Sequence, residues 1–322
     1  MAHEIDFIKL MQEEKRKAKA QNQRQQQQQS NNHEPTPAPN GAATSSSVAT
    51  NDADAVTVTP PSWPQDWLAG GLPPLDATKH CVSLDPAFVF YQPTVLTASQ
   101  QADLIGWLQG LPPATSQGEL ACWHALTFAK RRVAMFESPL PDPLASIAAA
   151  MVTAGIFEQQ QQPPNHVLVN EYLPGQGILA HTDGPLYRPR TATISLGGSP
   201  VLFKLAKRLT ADEIGVQHSR TAVEILLDGG GSLVVFCQDA YTNYVHSIDD
   251  QAMEEQTSDA CVNSKAGLRI ARGYRMSLTF RFKLLQNSSK INRVEQDPRT
   301  CTLHSLPAQH NSQRLFDWYE TR

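Results

Sequence analysis

Cysteine is scarce in this 322-residue chain: Cys81, Cys122, Cys237, Cys261 and Cys301 are widely spaced, odd in number and free of any CxxC pair. Such a set excludes a disulfide framework or a zinc ribbon and points to a reducing compartment. Long apolar runs are missing too. No stretch approaches the ~18–20 apolar residues that a bilayer-spanning helix needs, and no secretory signal pattern opens the chain, so a soluble intracellular protein without membrane association is expected. Nor is there an excess of one charge. With 27 basic and 31 acidic residues the net charge is −4, which gives no global attraction to nucleic acid, so binding of that kind needs a local basic patch. Aliphatic and aromatic residues are sparse in 1–62, whereas the 40% hydrophobic content of the whole chain is enough for a sizeable core. That core is expected in 63–285.

Residues 1–20 include "HEIDFIKLMQEEKRKAKA", with Phe7, Leu10 and Met11 at helical spacing and the basic run Lys15, Arg16, Lys17 and Lys19 at the end. Acids early and cations late suit a helix dipole. Two readings stay open, a solvated basic amphipathic helix or a segment that docks on a protein partner or directs nuclear import. The expected location is nucleus and/or cytoplasm. Residues 21–62 form a Gln/Ser/Pro-rich linker that cannot bury enough apolar surface to fold. Residues 286–322 form a polar tail, also expected to be mostly disordered.

Between them, "FVFYQPTVLTASQQADLIGWLQGL" reads as a strand, a Thr-capped start and a helix with Leu104, Ile105 and Leu108 on one face. "PLASIAAAMVTAGIF" reads as a second helix ended by Gly155. Short strands follow: "HVLVNEY", "TATISLGG", "PVLFKLA", "VEILLDGGGSLVVFC" and "YRMSLTFRFKLL". Helices followed by many short strands predict a monomeric α+β domain with a β-sandwich or barrel core.

The stretch "LVNEYLPGQGILAHTDGPLYRP" carries His181 and Asp183 two residues apart. One His-x-acid pair is no more than chance supplies from ten histidines and 31 acids, and arginines six apart occur as Arg269/Arg275, Arg275/Arg281 and Arg293/Arg299. Strand geometry is more selective, because residues of like parity share a face. In "HVLVNEY", Leu168, Asn170 and Tyr172 face one way; in "RMSLTFRF", Arg275, Ser277, Thr279 and Arg281 oppose Met276, Leu278, Phe280 and Phe282. The apolar face is core, so the polar face is either solvated or turned into a barrel. Turned inward, two guanidiniums require an anionic partner with two carboxylates, or two acids. A facial-triad iron site needs two histidines and a carboxylate with open positions beside them. His246 in "VVFCQDAYTNYVHSIDD" is the best-placed second histidine, ahead of His218 in a polar loop.

The order Asn-x-Tyr, His-x-Asp, His, Arg-x5-Arg resembles the AlkB-type Fe(II)/2-oxoglutarate-dependent dioxygenases, most closely the branch called AlkB homologue six. The segments "NHVLVNEYLPGQGILAHTDGPLY", "TISLG", "LLDGGGSLVVF", "DAYTNYVHSI" and "RGYRMSLTFR" carry it, from Asn165 to Phe282, with a looser likeness over 88–157. The resemblance implies a double-stranded β-helix (jelly-roll) core with flanking N-terminal helices. It implies His181, Asp183 and His246 as catalytic metal ligands, and Asn170, Tyr172, Arg275, Ser277 and Arg281 as contacts to 2-oxoglutarate. Arg275 with Tyr172 would meet the distal carboxylate, and Arg281 with Asn170 the end that chelates iron. Ser277 stands where several family members have asparagine. The implied cofactors are Fe(II), 2-oxoglutarate and O2. The implied reaction converts the keto acid to succinate and CO2 while a substrate C–H is hydroxylated; on an N-methyl group the product releases formaldehyde.

Family members that repair nucleobases hold a flipped base under an N-terminal lid. The lid expected here covers about 115–140, where "CWHALTFAKRRVAMFE" sets Lys130, Arg131 and Arg132 beside Trp123, Phe128 and Phe136, a mixture suited to phosphates and bases. The alternative is a hairpin with a core tryptophan and solvated cations. Tyr187, Arg188 and Arg190 are expected at the pocket mouth. Three functions remain in view: demethylation of alkylated RNA or DNA, the same chemistry on a protein side chain, or a non-catalytic binding scaffold.

Overall fold

The computed structural model describes residues 63–284 apart from 65, 127–129, 159–161, 210–220 and 251–252. The expectations for 1–62 and 286–322, and for Phe128, His218 and Arg293, lie outside the described residues.

The chain enters through α1 (Ala77–His80), β1 (Cys81–Ser83) and β2 (Val89–Gln92), then α2 (Ala98–Gln109). Thr97 starts α2 as expected: its hydroxyl accepts from the Gln100 backbone N–H, and the Gln100 side chain accepts from the Thr97 N–H. This reciprocal cap satisfies two N–H groups that a helix start otherwise leaves unpaired. Leu104 and Leu108 are fully buried and Ile105 is half-buried, the expected face. After β3 (His124–Leu126) and β4 (Arg131–Glu137) comes α3 (Leu144–Thr153), followed by Gly155 at φ +74°.

The strands of the core are β5 (His166–Tyr172), β6 (Ile178–His181), β7 (Tyr187–Leu196), β8 (Val201–Lys207), β9 (Thr221–Leu227), β10 (Leu233–Cys237), β11 (Tyr244–Ile248) and β14 (Arg275–Lys283). A short α4 (Asp239–Thr242) links β10 to β11, and a hairpin of β12 (Glu254–Gln256) and β13 (Arg269–Ala271) precedes β14. One sheet has the order β1-β2-β10-β7-β14-β5-β4-β3 and the other β6-β11-β8-β9. From β5 onward the core strands change sheet at every connection except β8–β9, which is the winding of a jelly roll. The expected fold class, α+β with a double-stranded β-helix core and helices before it, is the one observed.

β14 is buried on both faces. Its outward residues Met276, Leu278 and Phe280 have no exposure at all. Helices cover that face of the sheet: the Trp107 ring of α2 lies 5.5 Å from Phe136 of β4, and Arg190 donates to the Ile156 carbonyl beyond α3 at 2.7 Å. The inward residues of β14 point between the sheets. Replacing Thr97 by Ala should lower stability by about 1 kcal/mol, read as a lower Tm with ligand binding unchanged, because the cap stands apart from the inter-sheet cavity.

Candidate active site

Between the sheets lies a cavity of about 310 Å3. β5 and β14 pair so that Tyr172 meets Arg275, Asn170 meets Ser277, Leu168 meets Thr279 and His166 meets Arg281. All of these line the cavity. The solvated-face alternative is therefore wrong: Arg275 and Arg281 are 4% and 7% exposed.

On the opposite sheet, β6 and β11 pair with His181 directly across from His246, ring centroids 4.2 Å apart. Asp183 follows β6 by two residues, and the turn beyond it reverses at Gly184, φ +86°, a left-handed conformation that favours glycine. Tyr241 fixes that turn by donating to the Gly184 carbonyl at 2.8 Å. Ligand atoms of His181, Asp183 and His246 all fall within 4.8 Å of one another. His246 packs against Phe203 and Phe236, which hold its ring. His181 Nδ1 donates to the Leu179 carbonyl at 2.8 Å, leaving Nε2 with the lone pair a metal requires.

Asp183 joins this cluster to the arginine wall. Its Oδ1 lies 2.6 Å from Arg281 Nη2 and 3.8 Å from His246 Nε2, while Thr191 donates to its Oδ2. The Arg281 approach is an ion contact without hydrogen-bond alignment, so Oδ1 is buried with no aligned donor. Burial pushes the carboxyl up, but Arg281, His246 and His181 more than reverse this and hold it at about 2, ionised. A buried anionic oxygen with spare lone pairs beside two imidazoles fits a divalent cation. The wall behind fits an anion. Arg275 donates to Ser195 Oγ at 2.9 Å, while its Nε and Nη1 and the Nε of Arg281 have no partner although buried. Burial pulls the Arg275 pKa down, the mark of a cation kept from water. Buried N–H groups of a guanidinium are costly until a carboxylate takes them.

The lid residues do not assemble as expected. Trp123 is 4% exposed and its indole N–H donates to the Leu108 carbonyl, so it is a core residue. Phe136 is buried against Trp107. Arg132 lies over the Trp123 ring, 4.3 Å from its centroid, and forms a two-point ion pair with Glu171. Arg131 is buried and lines the cavity. Lys130 is exposed and the Arg132 side chain is 37% open to solvent, whereas Arg131 is buried. Register explains the difference: Arg132 pairs with Glu171, next to Tyr172, whereas the metal-ligand cluster faces the other stretch of the wall. At the expected mouth, Tyr187 is buried and lines the cavity with Arg281 over its ring, Arg188 stacks on Phe282, and Arg190 is buried on the outer face. Ser195, Thr191 and His166 were missed, and Arg131, expected on the lid, lies in the cavity wall instead. His166 shares parity with Leu168, Asn170 and Tyr172 in "HVLVNEY", and Thr191, Thr193 and Ser195 form a polar row opposite Ala192 and Ile194 in "TATISLGG", so alternation alone could have found them.

Residues 119–281 match the 2OG-Fe(II) oxygenase superfamily. A Danio rerio protein named "Probable RNA/DNA demethylase ALKBH6" is 30% identical over 217 residues, 64% of this chain and 90% of the relative. The structure of OsALKBH1 aligns at TM-score 0.36 and 16% identity over 60% of this chain and 97% of its own. A Pseudomonas putida prolyl-4-hydroxylase aligns at 0.38 and 16%, over 65% and 99%. The chain belongs to the 2OG-Fe(II) oxygenase superfamily, as an AlkB-type member. It is an oxidoreductase, and its cofactors are Fe(II), 2-oxoglutarate and O2.

Arg132→Ala should destabilise the fold by about 1 kcal/mol by leaving the buried Glu171 short of its cation. It should leave the salt dependence of oligonucleotide binding unchanged; a reduced salt slope would restore Arg132 to a phosphate-contacting role.

Proposed function

We propose that this oxygenase removes N-methyl groups from the bases of RNA or DNA, releasing succinate, CO2 and formaldehyde. The observation that carries the reading is the adjacency of the His181–Asp183–His246 cluster to a wall of buried, partly unpaired guanidiniums. The 30% identical relative named a probable RNA/DNA demethylase supports the substrate class.

In this assignment His181, Asp183 and His246 would hold the iron, which would supply oxygen activation. Arg275, with Tyr172 beside it, takes the distal carboxylate of 2-oxoglutarate. Arg281, bound to Asp183, and Asn170 serve the chelating end; Ser277 lies between them on the same strand face. The side chains of Phe203, Phe236 and Ile248 keep water from the cluster. Residues 63–285 form the catalytic unit, acting as a monomer in nucleus or cytoplasm, and segment 1–20 is the part offered to a protein partner.

Arg275→Met should weaken 2-oxoglutarate binding by about 2–5 kcal/mol, since a carboxylate loses its buried partner, with Mn(II) affinity retained. His181→Ala should abolish Mn(II) binding and succinate formation together. Either variant behaving as the parent would refute its role. For the substrate, succinate release is measured with N-methylated RNA, N-methylated DNA and methylated or proline-rich proteins. Stimulation and formaldehyde release with the oligonucleotides are expected; stimulation by proteins alone would transfer the reading to a protein hydroxylase.

A further inference from the structure

Arg131 opens β4 with its side chain on the cavity face, alongside Met135. It is 5% exposed. Its Nε donates to Asn170 Oδ1 at 3.1 Å, its Nη1 approaches the Gly177 carbonyl at 3.5 Å, and its Cζ lies 5.9 Å from the Tyr172 ring centre. Arg275 lies 5.3 Å from the same ring. Among the residues lining the cavity are three guanidiniums, Arg131, Arg275 and Arg281, and one carboxylate, Asp183.

An asparagine amide presents an acceptor at one end and two donors at the other, and only its neighbours decide which end faces a ligand. A guanidinium offers donors alone. With Arg131 engaging Oδ1, the amide of Asn170 is set with its NH2 group left for the cavity. The reverse orientation would bring N–H against N–H at Arg131 and aim a carbonyl oxygen at an incoming carboxylate.

We infer that Arg131 is a positioning residue that fixes Asn170 as a hydrogen-bond donor, so that the wall presents donors to an anionic keto acid. This rests on the reading of the cavity as the 2-oxoglutarate site. Two rival roles are distinct from it. Arg131 could grip the ligand carboxylate itself, or merely support Gly177, whose packing leaves no room for a side chain because a Cβ there would lie 2.3 Å from the Asp249 carbonyl oxygen.

The test is a double-mutant cycle on binding of N-oxalylglycine, a 2-oxoglutarate analogue, to the Mn(II)-loaded full chain, with Mn(II) affinity measured in parallel. Arg131→Met and Asn170→Ala should each weaken the analogue by about tenfold or more. The double variant should be no weaker than the worse single one within about twofold, because the two residues act as a unit, and Mn(II) affinity should hold. Multiplying losses would assign Arg131 a direct contact, and equal falls in analogue and Mn(II) affinity a structural role; either overturns the inference, as does no loss. If the parent fails to bind the analogue, the co-substrate reading itself falls. Where Arg131→Met does not fold, a crystal structure of the unaltered chain with Mn(II) and N-oxalylglycine decides. Arg131 on Asn170 with the amide nitrogen at the ligand supports the inference; Arg131 swung onto the ligand, or Asn170 turned away, overturns it.

Discussion

The contact between Asp183 and Arg281 ties the two halves of the site together. One residue follows β6 in the smaller sheet and the other lies on β14 in the larger, so the 2.6 Å ion contact bridges the sandwich. Neither charge would be tolerable alone at this depth. Arg281 keeps the carboxylate ionised without closing off Oδ1, which suits an atom meant for a cation. Arg281 in turn keeps an Nε without a partner, which suits a group meant for an anion. The pair is stable enough to preform the site and unsatisfied enough to take both ligands. Removing Arg281 would therefore disturb metal and keto acid together, whereas Arg275, which touches Ser195 and no metal-cluster residue, isolates the second effect.

A strand buried on both faces with polar residues on one of them needs two different environments within one thickness of sheet. β14 has them: Met276, Leu278 and Phe280 pack under the helices, and Arg275, Ser277, Thr279 and Arg281 look into the cavity. The neighbouring strands repeat the division, with Thr191, Thr193 and Ser195 inward on β7 and Ala192, Ile194 and Leu196 outward. The inward rows of β5, β7 and β14 make a largely polar floor, edged by Val234 and Phe236 of β10 in the same sheet, beneath an apolar ceiling from Phe203 and Ile248 of the other sheet. Such a floor has high local potential, because water cannot screen it. It selects for charge before it selects for shape.

Alternation along single strands was legible in the sequence, and with it a β-sandwich or barrel core and a polar arginine face that had to be solvated or inward. The jelly-roll winding was implied by the family resemblance, and the Thr97 cap by its place before a helical run. The metal cluster was legible once His246 was chosen by its place after an apolar strand; the direct pairing of His181 with His246 was not, since register between strands is a long-range property. The basic run 130–132 misled for a related reason. Three adjacent cations look like one patch, yet in a strand neighbours point to opposite faces, so Arg131 enters the cavity while Arg132 turns outward to Glu171. Composition gave their charge and concealed their direction.

The same register bears on how a large substrate could approach. Lys130 and Arg132 lie by Tyr172, at the Arg275 end of the floor, and Trp123 is committed to the core. The metal cluster instead neighbours Gly184, Pro185, Leu186 and Tyr187, with His166 across from Arg281 beneath them. If a base is oxidised here, it must reach the cluster past this second group, whose surfaces are largely aromatic and apolar. Pro185 is exposed, Leu186 is half-buried, and the Tyr187 and His166 rings lie tilted against each other with centroids 5.1 Å apart. A flat, uncharged ring fits such a lining better than a flexible cationic side chain would, since Arg281 already holds the positive charge at that end. The cavity thus sets Arg275 with Tyr172 at one end of its floor, and the metal-ligand cluster with Arg281, Tyr187 and His166 at the other.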